Sequence, residues 1–306
     1  MDSVRVHAPA TVSNVVCGFD CLGFALSEPY DELTVSMIRE PEIRIRHTDD
    51  FGLPTDPARN VAGVALRAML DHAGEGSGFE VEITKNIKPG SGIGSSSASS
   101  CGAVVAANEL LGGRYSKSEL VGFAMEGEKL ASGARHADNV APSIFGGFTL
   151  VRSVDPIDIV SLEFPMLFAT VLHPQIEIKT SEARAILPTQ VPLATAVRQW
   201  SNLGSLVAAL ARGDLELLAR SMEDLIVEPV RSSLIPKFGE VKGAALEAGA
   251  LGGGISGSGP SMFFLSGSRD TADKVENGIR RVYETTGLDF LTHVSAISAD
   301  GVSRVR

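Results

Sequence analysis

The 306-residue chain is about twice the usual length of one domain, and its 44% hydrophobic and 21% charged content is typical of a folded globular protein, not of a disordered or fibrous one. A formal net charge of -10 argues against general nucleic-acid binding, because that affinity comes mainly from lysine and arginine side chains that neutralise phosphates. Three cysteines suit a reducing compartment better than a disulfide scaffold, and residues 1–7 show no apolar signal core, so we expect a cytoplasmic protein without a membrane partner.

The first half of the chain opens with extended segments. β-Branched residues alternate with others in four short stretches, which Pro9, Pro29 and Pro41 interrupt: residues 4–8, 11–15, 33–38 and 42–46. The serine Ser116, followed three residues later by Glu119, is the pattern of a helix capping box. The remaining predicted elements of this half are a helix over 60–72, a strand over 79–84 and helices over 95–111 and 116–130.

The second half predicts strands and helices in the order of a ferredoxin-like split βαβ unit with inserted helices. A proline-bearing zone at 155–165 separates the halves, so we place a domain boundary at residue 160. Together the halves predict an α+β protein. The predicted strands are 148–152, 157–162, 167–173, 251–256, 261–265 and 291–298, and the predicted helices are 181–187, 193–211, 215–225, 237–248 and 271–285.

The loop between the strand at 79–84 and the helix at 95–111 is the most unusual segment of the chain. Gly90, Gly92 and Gly94 relieve the steric limits on backbone angles, so the loop can point amide groups at a ligand, and it leads directly into a helix N-terminus. This combination favours an anion such as phosphate. The loop has neither the Walker P-loop ending nor the dinucleotide fingerprint, and glycine-rich loops also occur as plain turns.

A resemblance decides between these interpretations. Residues 89–98 resemble the Pro-x-x-x-Gly-Leu-Gly-Ser-Ser-Ala motif of the GHMP kinases, and they read Pro89-Gly90-Ser91-Gly92-Ile93-Gly94-Ser95-Ser96-Ser97-Ala98. The proline lies one residue closer to the first aligned glycine than in that motif, and an isoleucine replaces the leucine. The resemblance implies the two-domain GHMP kinase fold, with a nucleotide-binding, ribosomal-protein-S5-domain-2-like domain at 1–160 and a ferredoxin-like domain at 161–306 that contributes substrate-binding arginines.

Three further segments resemble the homoserine kinase family within the GHMP kinases. Residues 10–20 are similar to its N-terminal Ser-x-Asn-x-x-x-Gly-Phe-Asp signature, and Glu128 with residues 135–147 is similar to a second signature. The third comprises 173–174, 180–188, 228–231 and the glycine run 252–260. The resemblance implies ATP-dependent phosphorylation of the L-homoserine hydroxyl in threonine biosynthesis.

The resemblance also implies roles for individual side chains. A zwitterionic amino acid needs a carboxylate near its ammonium group and arginines near its carboxylate. By resemblance Asn14 and Asp20 hold the amine, Arg184 and Arg231 bind the carboxylate, and His136 and Asn139 line the pocket nearer the hydroxyl. Each residue has an ordinary structural alternative, such as a turn cap or a solvated surface charge.

The resemblance assigns Mg²⁺ to Glu128 and Ser96, which we expect to be catalytic together with Asn139. Glu126 is two residues away and points to a different helix face, and the eight-residue spacing to His136 selects Glu128. The residues expected to bind ATP are Asn60, Lys88, Pro89, Gly90, Ser91, Gly92, Ile93, Gly94, Ser95, Ser96, Ser97 and Ala98. Helix capping explains Asn60 equally well. Lys85 and Lys88 flank the loop and could attract polyphosphate, although lysines beside a turn are usually just solvated.

Two questions stay open at this point. Mevalonate and galactose kinases use an aspartate as base near positions 138–139, whereas the homoserine kinase resemblance implies no dedicated base, so either Asp138 or Asn139 faces the hydroxyl. The chain could also be another GHMP kinase of mevalonate or sugar type, or a GHMP-fold binding protein without catalysis. The resemblance further implies that the protein forms a homodimer. It also implies that the small-molecule substrate is L-homoserine.

Overall fold

The computed structural model describes residues 3–74 and 76–305. A seven-stranded sheet organises the first half of the chain, with the order β11-β1-β2-β4-β3 and with β5 and β6 continuing from β2. Neighbours are antiparallel except β3 and β4, which are parallel. The strands are β1 (Ser3–Ser13), β2 (Leu22–Ile38), β3 (Ile43–His47), β4 (Gly78–Thr84), β5 (Phe148–Val154), β6 (Ile157–Leu162) and β11 (Ser303–Arg304).

The first two strands correct a prediction, because each runs straight through a proline that was expected to break it. The register between β1 and β2 jumps from the Pro9–Tyr30 pair to the Thr11–Ala25 pair. Pro29 therefore lies within the irregular stretch, where a missing amide hydrogen costs no regular ladder bond. The long β2 can consequently bind β4 with one end and β5 with the other.

Helices cover one face of this sheet. They are α1 (Val61–Ala73), α2 (Ser95–Leu110), α3 (Lys117–Ser132) and the short α4 (Val140–Phe145), which was not predicted; a single 3-10 turn, Pro57–Arg59, precedes α1. The capping box of α3 forms as predicted, since Ser116 accepts from the Glu119 amide and Glu119 accepts from the Ser116 amide. The alanine-rich α2 is buried along most of its length, so it packs closely against both β1 and β2.

A four-stranded antiparallel sheet of order β10-β7-β9-β8 organises the second half, as the split βαβ order predicted. Its strands are β7 (Phe168–Pro174), β8 (Gly252–Ile255), β9 (Met262–Ser266) and β10 (Phe290–Ala296). The helices are α5 (Thr180–Ala185), α6 (Leu193–Arg212), α7 (Leu215–Ser221), α8 (Glu228–Arg231), α9 (Phe238–Glu247) and α10 (Arg269–Glu284), with a 3-10 turn at Ser232–Leu234 after α8.

Two differences from the prediction concern this half. Helix α7 ends at Ser221 and not at residue 225, because the side chain of Asp224 accepts hydrogen bonds from the amides of the next turn and so competes with helix continuation. The short α8 was not predicted.

The last strand, β11, leaves the second half and pairs with β1. The boundary at residue 160 stays a prediction. Within the described part of the chain, no helix combines the length and the apolar character needed to cross a membrane.

Candidate active site

A cavity of about 360 Å³ lies where the two halves of the chain meet. Side chains and backbone from widely separated segments line it, and they include most of the residues expected to act. The expected residues in its lining are Asn14, Asp20, Pro89, Gly90, Ser91, Gly92, Gly94, Ser95, Ser96, Glu128, His136, Asn139, Arg184 and Arg231. The remaining expected residues do not line the cavity: Asn60, Lys88, Ile93, Ser97 and Ala98.

One side of the cavity is the glycine loop, by which we mean residues 88–98. Gly90, Gly92 and Gly94 all have φ angles of 71–79°, the left-handed region that favours glycine. A Cβ atom on Gly94 would lie 2.0 Å from the hydroxyl oxygen of Thr11, and one on Gly92 would lie 2.8 Å from the carbonyl oxygen of Gly259. The loop therefore requires glycine for its backbone angles and for close packing, and it delivers the amides of the first turn of α2 to the cavity.

The three serines of the loop, Ser95, Ser96 and Ser97, bond to two different partners. The hydroxyl of Ser95 donates to the Ile87 carbonyl at 2.8 Å, which closes the loop on itself. The hydroxyls of Ser96 and Ser97 both donate to Oε2 of Glu128, at 2.8 and 3.0 Å. Ser97 is thus a buried partner of the glutamate, outside the cavity lining.

The two glutamates of α3 lie on different sides of the helix. Glu128 is buried and reaches the serines of α2, whereas Glu126 is partly exposed and pairs with Arg135 at 3.3 Å. Glu128 and Ser96 together offer carboxylate and hydroxyl oxygens, the ligand atoms that Mg²⁺ prefers. No cluster of three or more histidine, cysteine or acidic side chains suited to a metal occurs among the described residues, so a Mg²⁺ ion here would take its other ligands from phosphate and water.

A buried ion pair that the sequence did not reveal supports the glycine loop from below. The Asp31 carboxylate pairs with the Lys85 ammonium group, and both side chains are at most 1% exposed. Asp31 also accepts from the amides of Asn86 and Ile87 at 2.8 and 2.9 Å, while Lys85 donates to the Ser95 carbonyl at 2.6 Å. Burial lowers the pKa of Lys85 and raises that of Asp31, and their mutual attraction opposes both shifts. The pair therefore joins β2 to both ends of the loop.

Two side chains of the second half also hold the loop. The hydroxyl of Ser256 donates to the Gly92 carbonyl at 2.7 Å, and that of Ser261 donates to the Ser91 carbonyl at 2.5 Å. The loop is consequently fixed from both halves of the chain.

Another part of the cavity lining is the charged wall, which comprises Asn14, Asp20, Arg184 and Arg231. Asn14 and Asp20 have φ angles of 63° and 58°, and the β-branched Val16 between them has a φ of 47°. Non-glycine residues in this region are uncommon and cluster at functional sites. Asn14 accepts from the Asp20 amide at 2.8 Å and donates to the Gly257 carbonyl at 2.7 Å, so it positions both the aspartate and the glycine run.

Asp20 and Arg184 form a bidentate ion pair across the two halves of the chain. The guanidinium donates to the two carboxylate oxygens at 2.9 and 3.0 Å. It also donates to Nε2 of His136 at 3.2 Å, which leaves the imidazole proton on Nδ1, 3.9 Å from Asp20. Hydrogen bonding to Asp20 raises the pKa of Arg184. Both side chains remain partly exposed, at 41% for the arginine and 34% for the aspartate.

Arg231 is the buried member of the charged wall, at 2% exposed. Its guanidinium donates to the Ala183 carbonyl at 2.9 Å and to the Gly257 carbonyl at 3.2 Å. It lies 5.1 Å from the ring centre of Phe19, and Arg184 lies 5.5 Å from the same ring. Burial lowers the pKa of Arg231, and the neighbouring Arg184 lowers it further. Two arginines therefore lie beside the ring of Phe19 and line the cavity.

Asp138 and Asn139 line the cavity between the glycine loop and the charged wall. The Asn139 amide group accepts from Thr11 at 2.8 Å and donates to Ser13 at 2.9 Å, so both ends of it are bound to β1. Burial raises the pKa of Asp138 to about 7, and the nearby carboxylates of Asp20 and Glu128 contribute to the rise. Asp138 can therefore bind or release a proton near neutral pH.

Two residues expected to bind the nucleotide have hydrogen-bond partners within the protein. Asn60 caps α1 by accepting from the Ala62 amide at 3.0 Å, and it donates to the Pro54 carbonyl at 2.7 Å. Lys88 donates to the side chain of Gln175. The capping alternative weighed for Asn60 thus has direct geometric support, and its adenine contact stays a prediction.

Comparisons with known proteins agree on one family. Residues 60–147 match the model of the GHMP kinases N terminal domain, and residues 206–285 match that of the GHMP kinases C terminal domain. A homoserine kinase of Chloroherpeton thalassium is 48% identical over 296 residues, which cover 92% of this chain and 93% of that protein. A homoserine kinase of Thermococcus kodakarensis is 42% identical over 294 residues, which cover 95% of this chain and 97% of that protein.

A solved structure matches the whole chain. The crystal structure of homoserine kinase from Cytophaga hutchinsonii superposes with a TM-score of 0.95 at 47% identity, and the match covers 100% of this chain and 98% of that one. A mevalonate kinase from L. major superposes with a TM-score of 0.71 over 95% of each chain, and at 19% identity it shows a shared fold only.

Proposed function

The chain belongs to the homoserine kinase family of the GHMP kinases, and from this we propose that it transfers the γ-phosphoryl group of ATP to the side-chain hydroxyl of L-homoserine. The products are O-phospho-L-homoserine and ADP, and the reaction is a step of threonine biosynthesis. The family resemblance seen in the sequence is confirmed, as is the α+β GHMP kinase fold. The observation that carries the choice of substrate is the charged wall.

The charged wall suits a zwitterion. The Asp20–Arg184 ion pair borders the cavity, and its two members remain partly exposed. An amino acid that enters between them can place its ammonium group on Asp20 and its carboxylate on Arg184, so each charge keeps a partner of opposite sign. Arg231 adds a second positive charge for the carboxylate. A neutral sugar carries no charged groups that could pair with these side chains.

The glycine loop suits the phosphates of ATP. Its amides and the N-terminus of α2 offer donors and a favourable dipole to an anion. Phosphoryl transfer needs mainly positioning and charge neutralisation, which a rigid loop supplies.

We propose Mg²⁺ as the metal, held by Glu128 and Ser96. Their oxygens lie 2.8 Å apart, and they leave most of an octahedral shell to phosphate oxygens and water. When bound, the ion neutralises the charge of the phosphates.

The homoserine hydroxyl is expected beside Asp138 and Asn139. The amide of Asn139 is bound at both ends and has no acidic proton to exchange, so its part is to shape the pocket. Of the two, only Asp138 can accept the hydroxyl proton as transfer proceeds, and its pKa of about 7 is suited to that.

A substrate panel tests the function. Purified protein with ATP and Mg²⁺ is expected to convert L-homoserine to O-phospho-L-homoserine, which ³¹P NMR detects. The kcat/KM for L-homoserine is expected to be at least about 100-fold higher than the kcat/KM for mevalonate or for galactose. A preference for mevalonate or galactose would move the chain to another branch of the GHMP kinases. Binding of ATP without any transfer would mark a binding protein of the same fold.

We also propose a homodimer, with the cytoplasm as its compartment. Helix α6 exposes a stripe formed by Leu193, Val197 and Trp200, which are spaced by about one helical turn and are 72%, 43% and 55% exposed. Such a stripe on a folded domain marks an interaction surface, and a two-fold dimer is the commonest way for copies of one chain to cover it. Light scattering on a sizing column measures the oligomeric state.

A further inference from the structure

A buried pair of polar side chains lies behind the charged wall. Gln199 on α6 and Asp224, in the segment that follows α7, are 9% and 8% exposed, and neither lines the cavity described above. The Gln199 amide donates to Oδ1 of Asp224 at 2.9 Å. The pair belongs to none of the motifs that suggested the function.

Asp224 fixes the turn that leads to Arg231. Its Oδ1 accepts from the amides of Ile226 and Val227 at 2.9 and 3.1 Å, and its Oδ2 accepts from the amide of Glu228 at 2.8 Å. Glu228 is the first residue of α8, and Arg231 is its last. One carboxylate therefore sets the start of the helix that carries the buried arginine.

Gln199 joins this turn to the loop that carries Asp20. Besides its bond to Asp224, its amide group donates to the Cys17 carbonyl at 3.3 Å and accepts from the Leu225 amide at 2.9 Å. Cys17 lies between Asn14 and Asp20 in the sequence. A single side chain thus contacts two of the three segments that build the charged wall, the loop of Asp20 and the turn before Arg231.

The two segments also meet at the cavity itself. Arg231 and Asn14 share the Gly257 carbonyl as acceptor, at 3.2 and 2.7 Å, and Arg231 packs on the ring of Phe19. A shift of one segment against the other therefore changes the spacing between the Asp20 carboxylate and the Arg231 guanidinium. An amino acid has a fixed distance between its charges, so its binding depends on that spacing.

We propose that Gln199 and Asp224 are positioning residues that set the affinity for the amino-acid substrate without touching it. This inference rests on the proposed function and adds to it. In the described structure neither side chain hydrogen-bonds to the glycine loop, so we expect their effect to fall on the amino acid and not on ATP. A role limited to stability would lower the melting temperature and leave both KM values unchanged.

The variant Gln199→Leu of the full-length protein tests the proposal. Loss of the amide frees the loop at Cys17 from the turn at Asp224, and the KM for homoserine is expected to rise about tenfold, the effect of losing a net hydrogen-bonding contribution of ordinary size. The KM for ATP is expected to stay within about twofold. The matched control is Asn202→Leu, one turn further along α6, whose amide donates to the Glu223 carbonyl at 3.1 Å but reaches neither Cys17 nor Asp224.

The outcomes separate the inference from the proposed function. Wild-type protein that fails to phosphorylate homoserine refutes the function. If the wild type is active and Gln199→Leu changes the KM values for homoserine and ATP equally, or changes neither, the inference is wrong but the proposed function stands. If Gln199→Leu does not fold, Asp224→Asn replaces it, with the same split expected; a failure of both variants to fold assigns the pair to stability and also overturns the inference.

Discussion

The glycine loop and the charged wall line the same cavity, but they are held in place in different ways. The loop is one contiguous segment, and backbone angles, buried serines and a buried ion pair hold it. The charged wall is assembled from distant segments, and its aspartate and one arginine stay partly exposed while they pair with each other. The difference indicates a rigid anion site on one side and, on the other, a site whose charges can exchange partners when substrate enters.

Removal of the buried ion pair that supports the loop is expected to have the largest effect. Asp31→Asn leaves the Lys85 ammonium buried without its partner, which is expected to lower the free energy of unfolding by about 3–5 kcal/mol. The KM for ATP should rise at temperatures where the variant is folded, while homoserine affinity changes little. Urea unfolding followed by circular dichroism measures the stability.

A second substitution serves as the control for Asp31→Asn. The double variant Asp31→Asn/Lys85→Met removes the stranded ammonium group and is expected to recover part of the lost stability. A double variant less stable than the single one would contradict the account of the pair.

Glu128→Gln tests whether the Glu128 carboxylate beside the glycine loop holds the Mg²⁺ ion that neutralises the phosphates. The amide keeps the size of the side chain but not its charge, so we expect kcat to fall about 10²–10³-fold with the fold retained. Glu126→Gln is the matched control on the same helix, and it should keep kcat within about twofold because that side chain pairs with Arg135 outside the cavity. Full activity in Glu128→Gln would show that the carboxylate is not needed.

Arg184→Met tests the charged wall. Loss of a charge-assisted bidentate contact is expected to lower kcat/KM for homoserine about 100-fold, with the KM for ATP unchanged. Arg198→Met removes an exposed arginine that pairs with Glu223 away from the cavity, and it should be neutral. A parallel rise in the KM for ATP would mean that the two sides are not independent.

Asp138 lies between the two sides and gives the smallest effect. Its pKa is raised from 3.8 to about 7, so the folded state holds a proton that the unfolded state has released. The stabilisation from this proton is complete below pH 3.8 and is lost as the pH rises through about 7. Between pH 5 and pH 8, wild type should therefore lose about 2 kcal/mol more stability than Asp138→Asn. Identical pH profiles from urea unfolding would refute the shift.

The sequence predicted the glycine loop because the features that identify it lie within eleven residues. The helix start, the three glycines and the serines are local features, and each depends on backbone geometry that neighbouring residues decide. The residues of the charged wall could be proposed only through resemblance, because no spacing in the sequence relates position 20 to position 184.

The residues that support the loop and the charged wall could not be predicted from the sequence, for a related reason. Lys85 beside a turn is usually solvated, and only the packing of α2 on β2 makes it a buried partner of Asp31. In the sequence, Gln199 is likewise an ordinary polar residue of an amphipathic helix. Its partners Cys17 and Asp224 are distant in sequence, and only the tertiary fold brings them to it. Pro29 was misread for the same kind of reason, because the irregular register that tolerates it belongs to the pairing of two strands.

The most direct test of the two-sided site is a crystal structure with L-homoserine and a non-hydrolysable ATP analogue. The account predicts phosphate oxygens within about 3 Å of the amides of the glycine loop, the amino-acid carboxylate on Arg184 and Arg231, and its ammonium group on Asp20, with the Asp20–Arg184 pair opened to admit it. A homoserine molecule bound elsewhere, with that ion pair intact, would contradict it.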